Sequence, residues 1–293
     1  MEPTDTEKSD QLLLVVDGRR LKKLDVRPTF AQYLSTLWAR RHFIATDARF
    51  RAFRTTRDYR LWKFWVVAQP LLDALMYGLC FGLLLQTSRG IDNYIGFLLI
   101  GITFFNFMSK IVMSGAGLIR SSRNLLRAFD FPRAALVWSV SIRYLYDALP
   151  ALLVSVTASI VMQLDNLPGI SLLAVLPITV LMFFFATGLM LFVVRITAFV
   201  PDAKAILEIL NKAWFFATGI FYSIDRFATH PTVHAVMSAN PGHIYIDALR
   251  TAVLDGQAPD LKQWGLMLAW AIGALLAGML FFWRAEEKYA RVA

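Results

Sequence analysis

Six apolar runs separated by polar residues set the pattern of this chain, at about 62–85, 94–119, 136–162, 170–194, 205–222 and 264–283. At about 1.5 Å per residue, each run can cross a hydrocarbon layer of roughly 30 Å as a helix, the fifth only if nearly upright or slightly embedded at its ends. The pattern predicts an all-α integral membrane protein with six transmembrane helices over 61–293. Ahead of them, Phe30, Tyr33, Leu34, Leu37, Ile44, Ala45 and Ala48 recur at helical spacing, while Arg40, Asp47, Arg49, Arg51 and Arg54 fall mostly elsewhere on the wheel. An amphipathic helix in the region 29–60 would lie along the membrane surface. Arg41 interrupts its stripe, Phe43, Phe50 and Phe53 lie outside it, and a soluble two-helix cap is the alternative. Residues 1–28 read as a polar tail, and 223–262 as an excursion between the last two crossings, broken by Pro231, Pro241 and Gly242.

Composition and charge sharpen this reading. Hydrophobic residues make up 57% of the 293, charged residues only 17%, and the mean hydropathy is +0.52, outside the balance of a soluble domain. Of 30 Lys and Arg, thirteen precede Leu61. Arg120, Arg123, Arg127 and Arg133 lie between the second and third runs, Arg195 and Lys204 between the fourth and fifth, and Arg284, Lys288 and Arg291 after the sixth. Six crossings put all of these on one face, which the positive-inside rule makes cytoplasmic. The expectation is a multi-pass protein of the cell (inner or plasma) membrane with both termini in the cytoplasm. Before Leu61 the longest apolar run is Leu12 to Val16, so no cleavable signal peptide is expected. The single cysteine, Cys80, excludes an intramolecular disulfide and reads as a small apolar filler.

Ionisable groups within the crossings are few. Arg143 and Asp147 stand four apart, as do Glu208 and Lys212, so each pair can meet on one helix face; Asp73 and Lys110 could meet across the first two helices. No relay of acids or histidines runs through the midplane, which argues against proton-coupled transport. Trp62, Trp65, Trp138, Trp264 and Trp283 sit near predicted interfaces and suit anchoring. Rings within the crossings could stack on sugars along a passage or simply pack. Phosphate-cradling GxxxxGK[ST], HExxH and nucleophile-elbow motifs are absent from the sequence. His230 and His234 have a metal-like spacing, but prolines break the segment and no third ligand follows at defined spacing. The sequence thus predicts no catalytic residue and no metal site.

The basic connection 120–133 carries Asn124, Leu125 and Leu126, then Phe131, Pro132 and Arg133. These residues resemble the "NLI…FPR" stretch of ABC-transporter permeases of the polysaccharide, O-antigen and teichoic-acid export class. Asn240 and Pro241, followed by Tyr245, Ala248 and Arg250, resemble that family's "NP…A.R" element before the last crossing. Phe281, Phe282, Arg284, Glu287 and Tyr289 resemble its closing "F.R.E..Y" stretch, and the joint match spans about residues 30–293 in order. The linker after Phe221, Tyr222 and Ser223 looks most like that of exporters of lipid-linked galactan or O-antigen.

The resemblance implies a homodimeric permease bound to two copies of a separate cytoplasmic ATPase. No cofactor is expected on this chain, because ATP and magnesium belong to that partner. The surface helix and the first cytoplasmic loop would grip the ATPase, the loop through Ser121, Ser122, Arg123, Asn124, Leu125, Leu126, Arg127, Phe131, Pro132 and Arg133. Short re-entrant helices around Asn240, Pro241 and Arg250 would gate the extracytoplasmic exit. Trp214, Phe215, Phe216 and Tyr222, with Tyr77 and Phe81, are the rings expected along the glycan path. Arg54, Arg57, Arg60 and Lys63, where surface helix meets first crossing, could capture the phosphates of a polyprenyl-linked glycan or anchor to anionic membrane lipid. Nucleic acid is not an expected partner. The other readings are a permease exporting drugs or lipids, a membrane glycosyltransferase, for which an acidic metal-binding cluster is missing, and a structural subunit without transport.

Overall fold

Thr29, Asn93, Asn240 and Asp260 stand where helices begin. Each side chain accepts a hydrogen bond from a first-turn backbone N–H, from Gln32, Gly96, Gly242 and Gln263 respectively. Such caps satisfy donors that a helix start leaves open. The computed structural model of the chain describes residues 29–55, 62–84, 91–128, 131–164, 167–224 and 230–292, and these contain helices and no β-strand. Two helices, α1 (Phe30–Ala39) and α2 (Arg41–Thr55), precede α3 (Trp62–Tyr77), which runs on as a π-helical segment, Gly78–Leu84. Then come α4 (Tyr94–Ser114), the short α5 (Leu118–Ser121) and α6 (Arg123–Ala128), and the long α7 (Ala134–Val161). A 3-10 turn, Ile170–Ala174, leads into α8 (Val175–Phe199), followed by α9 (Ala203–Ala217). The chain closes with α10 (Pro231–Ser238), α11 (Pro241–Val253), α12 (Leu261–Trp283) and α13 (Glu286–Val292).

Among the described residues each apolar run of the sequence is therefore built mainly of helix. Among the described residues four helical stretches are long and apolar enough to cross a membrane: Tyr94–Ser114, Ala134–Val161, Ile170–Phe199 and Leu261–Trp283. The fifth run, expected to 222, stops at Ala217 because Gly219 turns the chain with φ +71°, a backbone region open to glycine at little cost. Its 15 residues extend only about 22 Å at 1.5 Å each.

α4 is the centre of the bundle, surrounded by α3, α7, α8 and α11 and buried along almost its whole length. α8 and α12 approach most closely, since a Cβ on Gly188 or Gly278 would overlap the facing backbone. Small residues at a crossing permit the backbone contact that holds apolar helices together where water cannot drive them. The stripe ahead of the membrane is two helices that meet at Arg40. Tyr33, Leu37, Ile44, Ala48 and Ala52 are buried, and α2 lies against α7, where Asp47 accepts a hydrogen bond from Ser139. Leu34, Trp38, Phe43 and Phe50 remain exposed on the outer side, an apolar surface suited to lipid. α1, α2, α5, α6 and α13 gather at one end of the bundle, called here the tail end. The 3-10 turn, α10 and α11 form the far end, fastened by hydrogen bonds from Asn93 Nδ2 to Ser159 O (2.9 Å), Gln163 Nε2 to Leu254 O (2.6 Å) and Ser171 Oγ to Ala252 O (2.9 Å).

Candidate functional site

At the tail end, three segments far apart in sequence close on one carboxylate. Glu286, 4% exposed, accepts hydrogen bonds from the Tyr33 hydroxyl of α1 (2.9 Å) and from the Arg133 backbone N–H (2.9 Å), and pairs with the Arg133 guanidinium at 3.5 Å. Tyr33 in turn accepts the Ala134 N–H at the start of α7 (3.2 Å). Burial pushes the Glu286 carboxyl above its ordinary range, against the opposing pull of the Arg133 N–H, the Arg133 charge and the Tyr33 hydroxyl. Burial and the neighbouring Glu286 charge both hold the Tyr33 phenol protonated. Phe282 and Tyr289 stack beside this knot with centroids 4.7 Å apart.

The expected coupling loop protrudes next to it. Ser121, Arg123 and Asn124 are exposed, Ser122, Leu125 and Leu126 are half-buried, and Phe131 and Pro132 lie underneath, with Phe131 against Phe43 of α2 at 5.5 Å. Arg120 fixes the base of the loop by donating to the Ala198 carbonyl at 3.3 Å, and the Gly117 N–H donates to Thr197 Oγ1 at 3.1 Å. The side chain of Arg127 lies outside the described residues. The result is a basic protrusion on a rigid footing, joined through Arg133 to α1, α7 and α13.

The far end holds the rings. Phe221, fully buried, stacks on Phe81 at 4.1 Å and meets Tyr77, Phe215 and Phe216 at 5.0, 5.2 and 5.8 Å. Trp214 joins through Phe105, which lies 5.3 Å from it and 5.1 Å from Phe215. The Tyr222 hydroxyl donates to the Phe216 carbonyl. All six rings expected along a path thus share one neighbourhood between α3 and α9, organised by Phe221 and Phe105. Beside it, Arg250 is buried and donates to the carbonyls of Phe97 (3.1 Å), Gly219 (3.0 Å) and Ile220 (3.0 Å), with its guanidinium 3.2 Å from the Phe97 ring centroid. Gly101 makes room for it, since a Cβ there would stand 2.5 Å from Nη2. Asn240 caps α11 and also accepts from Trp214 Nε1 at 2.8 Å, and Pro241 occupies the first turn of that helix. Arg250 and Asn240 therefore fasten the turn after α9 to α4 and α11. Arg250 does so from inside the protein, while Asn240 is half-buried.

Other expected contacts divide. Arg143 and Asp147 pair at 3.4 Å. Glu208 pairs with Lys204 at 3.9 Å instead of with Lys212, because the acid leans one turn towards the helix start. Arg57 and Arg60 lie outside the described residues, as do the side chains of Arg54 and Lys63. Among the described residues no group of three or more His, Cys, Asp or Glu could hold a metal ion. Glu286 was missed in favour of its neighbour Glu287, which is exposed. The signal was present: position 286 is four after Phe282 and three before Tyr289, on the face those buried rings define. Phe221 has no such signal, because it lies in a turn without periodicity.

Comparison with known proteins adds two findings. The family model described as ABC-2 type transporter matches residues 43–254. The O-antigen export system permease protein RfbA of Myxococcus xanthus is 23% identical over 229 residues, 77% of this chain and 85% of that protein.

Proposed function

The chain belongs to the ABC-2 type transporter family, and we propose that it is the membrane-spanning permease of an ATP-driven polysaccharide exporter. The observation that carries this reading is α9, none of whose residues is buried although it borders the ring cluster. Ile206, Ile209 and Leu210 are more than half exposed on it, an apolar face that fits a second copy of the chain across a shared passage. In this reading α3, with its π-helical extension, and α9 complete six crossings, and both termini face the cytoplasm. Two copies then enclose a path edged by Tyr77, Phe81, Trp214, Phe215, Phe216 and Tyr222.

The substrate class follows the O-antigen export permease that the chain resembles. We take it to be a lipid-linked glycan, such as an O-antigen or a cell-wall galactan. Two copies of a separate ATPase, which binds ATP and magnesium, dock on α1, α2 and the protrusion of α5 and α6. Their closure moves the protrusion, and the Glu286 knot passes that movement to α7 and α1 together. Arg54, Arg57, Arg60 and Lys63 receive the lipid phosphates at the cytoplasmic surface, and the segment held by Asn240, Pro241 and Arg250 gates the exit.

Depletion of the chain in its own cells tests the reading. Surface glycan should fall while its lipid-linked precursor accumulates on the cytoplasmic side. Unchanged surface glycan, or accumulation only of drugs or phospholipids, would overturn it.

A further inference from the structure

Between α3, α4 and α7 lies a cavity of about 410 Å³, within the span of about 300–1,000 Å³ usual for small-molecule sites. Asp73 of α3, Asn106 and Lys110 of α4, and the paired Arg143 and Asp147 of α7 line it. None of the roles above uses this cavity, yet charged and amide groups at membrane depth are costly and usually mark a ligand or a pathway.

Thr103 is an independent sign. It lines the same cavity, is 7% exposed, and its hydroxyl has no hydrogen-bond partner among the described residues. Elsewhere in these helices Thr157, Thr179, Thr187 and Thr197 each donate to the carbonyl four residues back. Thr103, which borders the cavity, departs from that habit, as Ser155 does away from it, and a buried hydroxyl left unmatched is costly until a partner meets it.

The lining also defines the chemistry of what enters. Two carboxylates offset one ammonium and one guanidinium, so the cavity has no net charge to attract a phosphate or diphosphate. It offers acceptors and donors together, with the Tyr144 ring on the same wall and the Arg143 guanidinium 5.5 Å from that ring. A sugar ring presents hydroxyls that both donate and accept, and apolar C–H faces that settle on an aromatic ring. We propose that this cavity is a binding site for a neutral polyhydroxylated group, a sugar residue held by Asp73, Asn106 and Lys110 with Thr103 at its base. Only the source of that sugar, the transported glycan, rests on the reading of the chain as a glycan exporter. A polyol headgroup of a membrane lipid carries the same chemistry.

The full chain in phosphatidylcholine nanodiscs is photolabelled with a diazirine-bearing galactotetraose, and adducts are mapped by mass spectrometry. Adducts are expected on peptides covering 69–73 and 143–151, insensitive to inorganic pyrophosphate. Thr103→Val, equal in shape, should weaken half-saturation about three- to tenfold, the worth of one hydrogen bond, while the thermal stability of the free chain holds or rises. Asn106→Leu is the second variant, should the first fail to fold, with the same expectation. Displacement by phosphatidylinositol included in the nanodisc supports the site and assigns it to a lipid headgroup. Absence of adducts at saturation, adducts only elsewhere, displacement by pyrophosphate, or unchanged labelling of both variants would overturn it. Depletion that blocks glycan export while labelling fails removes this site alone; labelling with export intact in depleted cells removes the exporter reading alone.

Discussion

α4 and α9 are neighbours in one bundle and opposites in environment. α4 hides most of its side chains and is clasped at its far end by the Arg250 guanidinium; α9 buries none and presents isoleucine and leucine outward. Both are apolar, so hydrophobicity alone does not distinguish a helix that the chain itself covers from one that it leaves uncovered. The difference lies in what the neighbours supply: packing on all sides and the Arg250 clasp around α4, and around α9 the ring cluster with the single ties of Asn211 to Ser109 and Trp214 to Asn240.

Removing the clasp should have the largest effect. Arg250→Met strips the carbonyls of Phe97, Gly219 and Ile220 of their donor, and a loss of about 3–5 kcal/mol is expected, read as a large drop in thermal midpoint or failure to fold. Retained stability would mean that the far end is held by packing alone. Glu286→Ala at the tail end should cost about 2–3 kcal/mol, because the Tyr33 hydroxyl and the Arg133 N–H are left buried without their acceptor. In the assembly proposed above, with its ATPase, the same variant should lower glycan exported per ATP consumed; an unchanged ratio would separate the knot from coupling.

A smaller effect sharpens the contrast with α9. Ile209→Ser should change the stability of the solubilised chain by no more than about 0.5 kcal/mol, yet abolish disulfide cross-linking between copies carrying a cysteine elsewhere on α9. Efficient cross-linking in that variant would show that this face is not the contact. The smallest effect is in pH. Glu286 holds its proton more tightly in the folded chain than in the unfolded one, so its contribution falls as pH rises from the ordinary carboxylate range towards its raised folded value, and recovers as pH falls. The wild type should therefore gain stability relative to Glu286→Gln on acidification from neutral pH, measured by parallel thermal melts. A difference that stays flat would argue against a buried, titrating Glu286.

The helices were legible because a bilayer requires long uninterrupted apolar runs, and the capping residues Asn93 and Asp260 mark starts near those that the runs imply. The fifth run was read too long, since Phe221 and Tyr222 look like a continuation until Gly219 is allowed to turn the chain. Contacts between segments distant in sequence were the least visible. Periodicity marked Tyr33 as apolar-facing but could not show its hydroxyl meeting Glu286, and spacing allowed Glu208 either Lys204 or Lys212. The aromatic residues expected along a path lie near one another, joined by Phe221 and Phe105, rings that the apolar runs contain but that periodicity does not single out.

Tyr33 and Glu286 are 253 residues apart, and Arg133 lies between them in sequence. During synthesis the first helices therefore leave the ribosome long before the acid that locks them exists. Until Glu286 emerges, α1 and α2 have their apolar stripe and the bonds of Asp47 and Tyr33 to α7 with which to wait on the nascent bundle, so maturation of the tail end finishes with the last helices. Quality control could read that delay, because a chain stalled or cleaved before α13 would insert normally and still expose an unfastened amino-terminal segment to proteases.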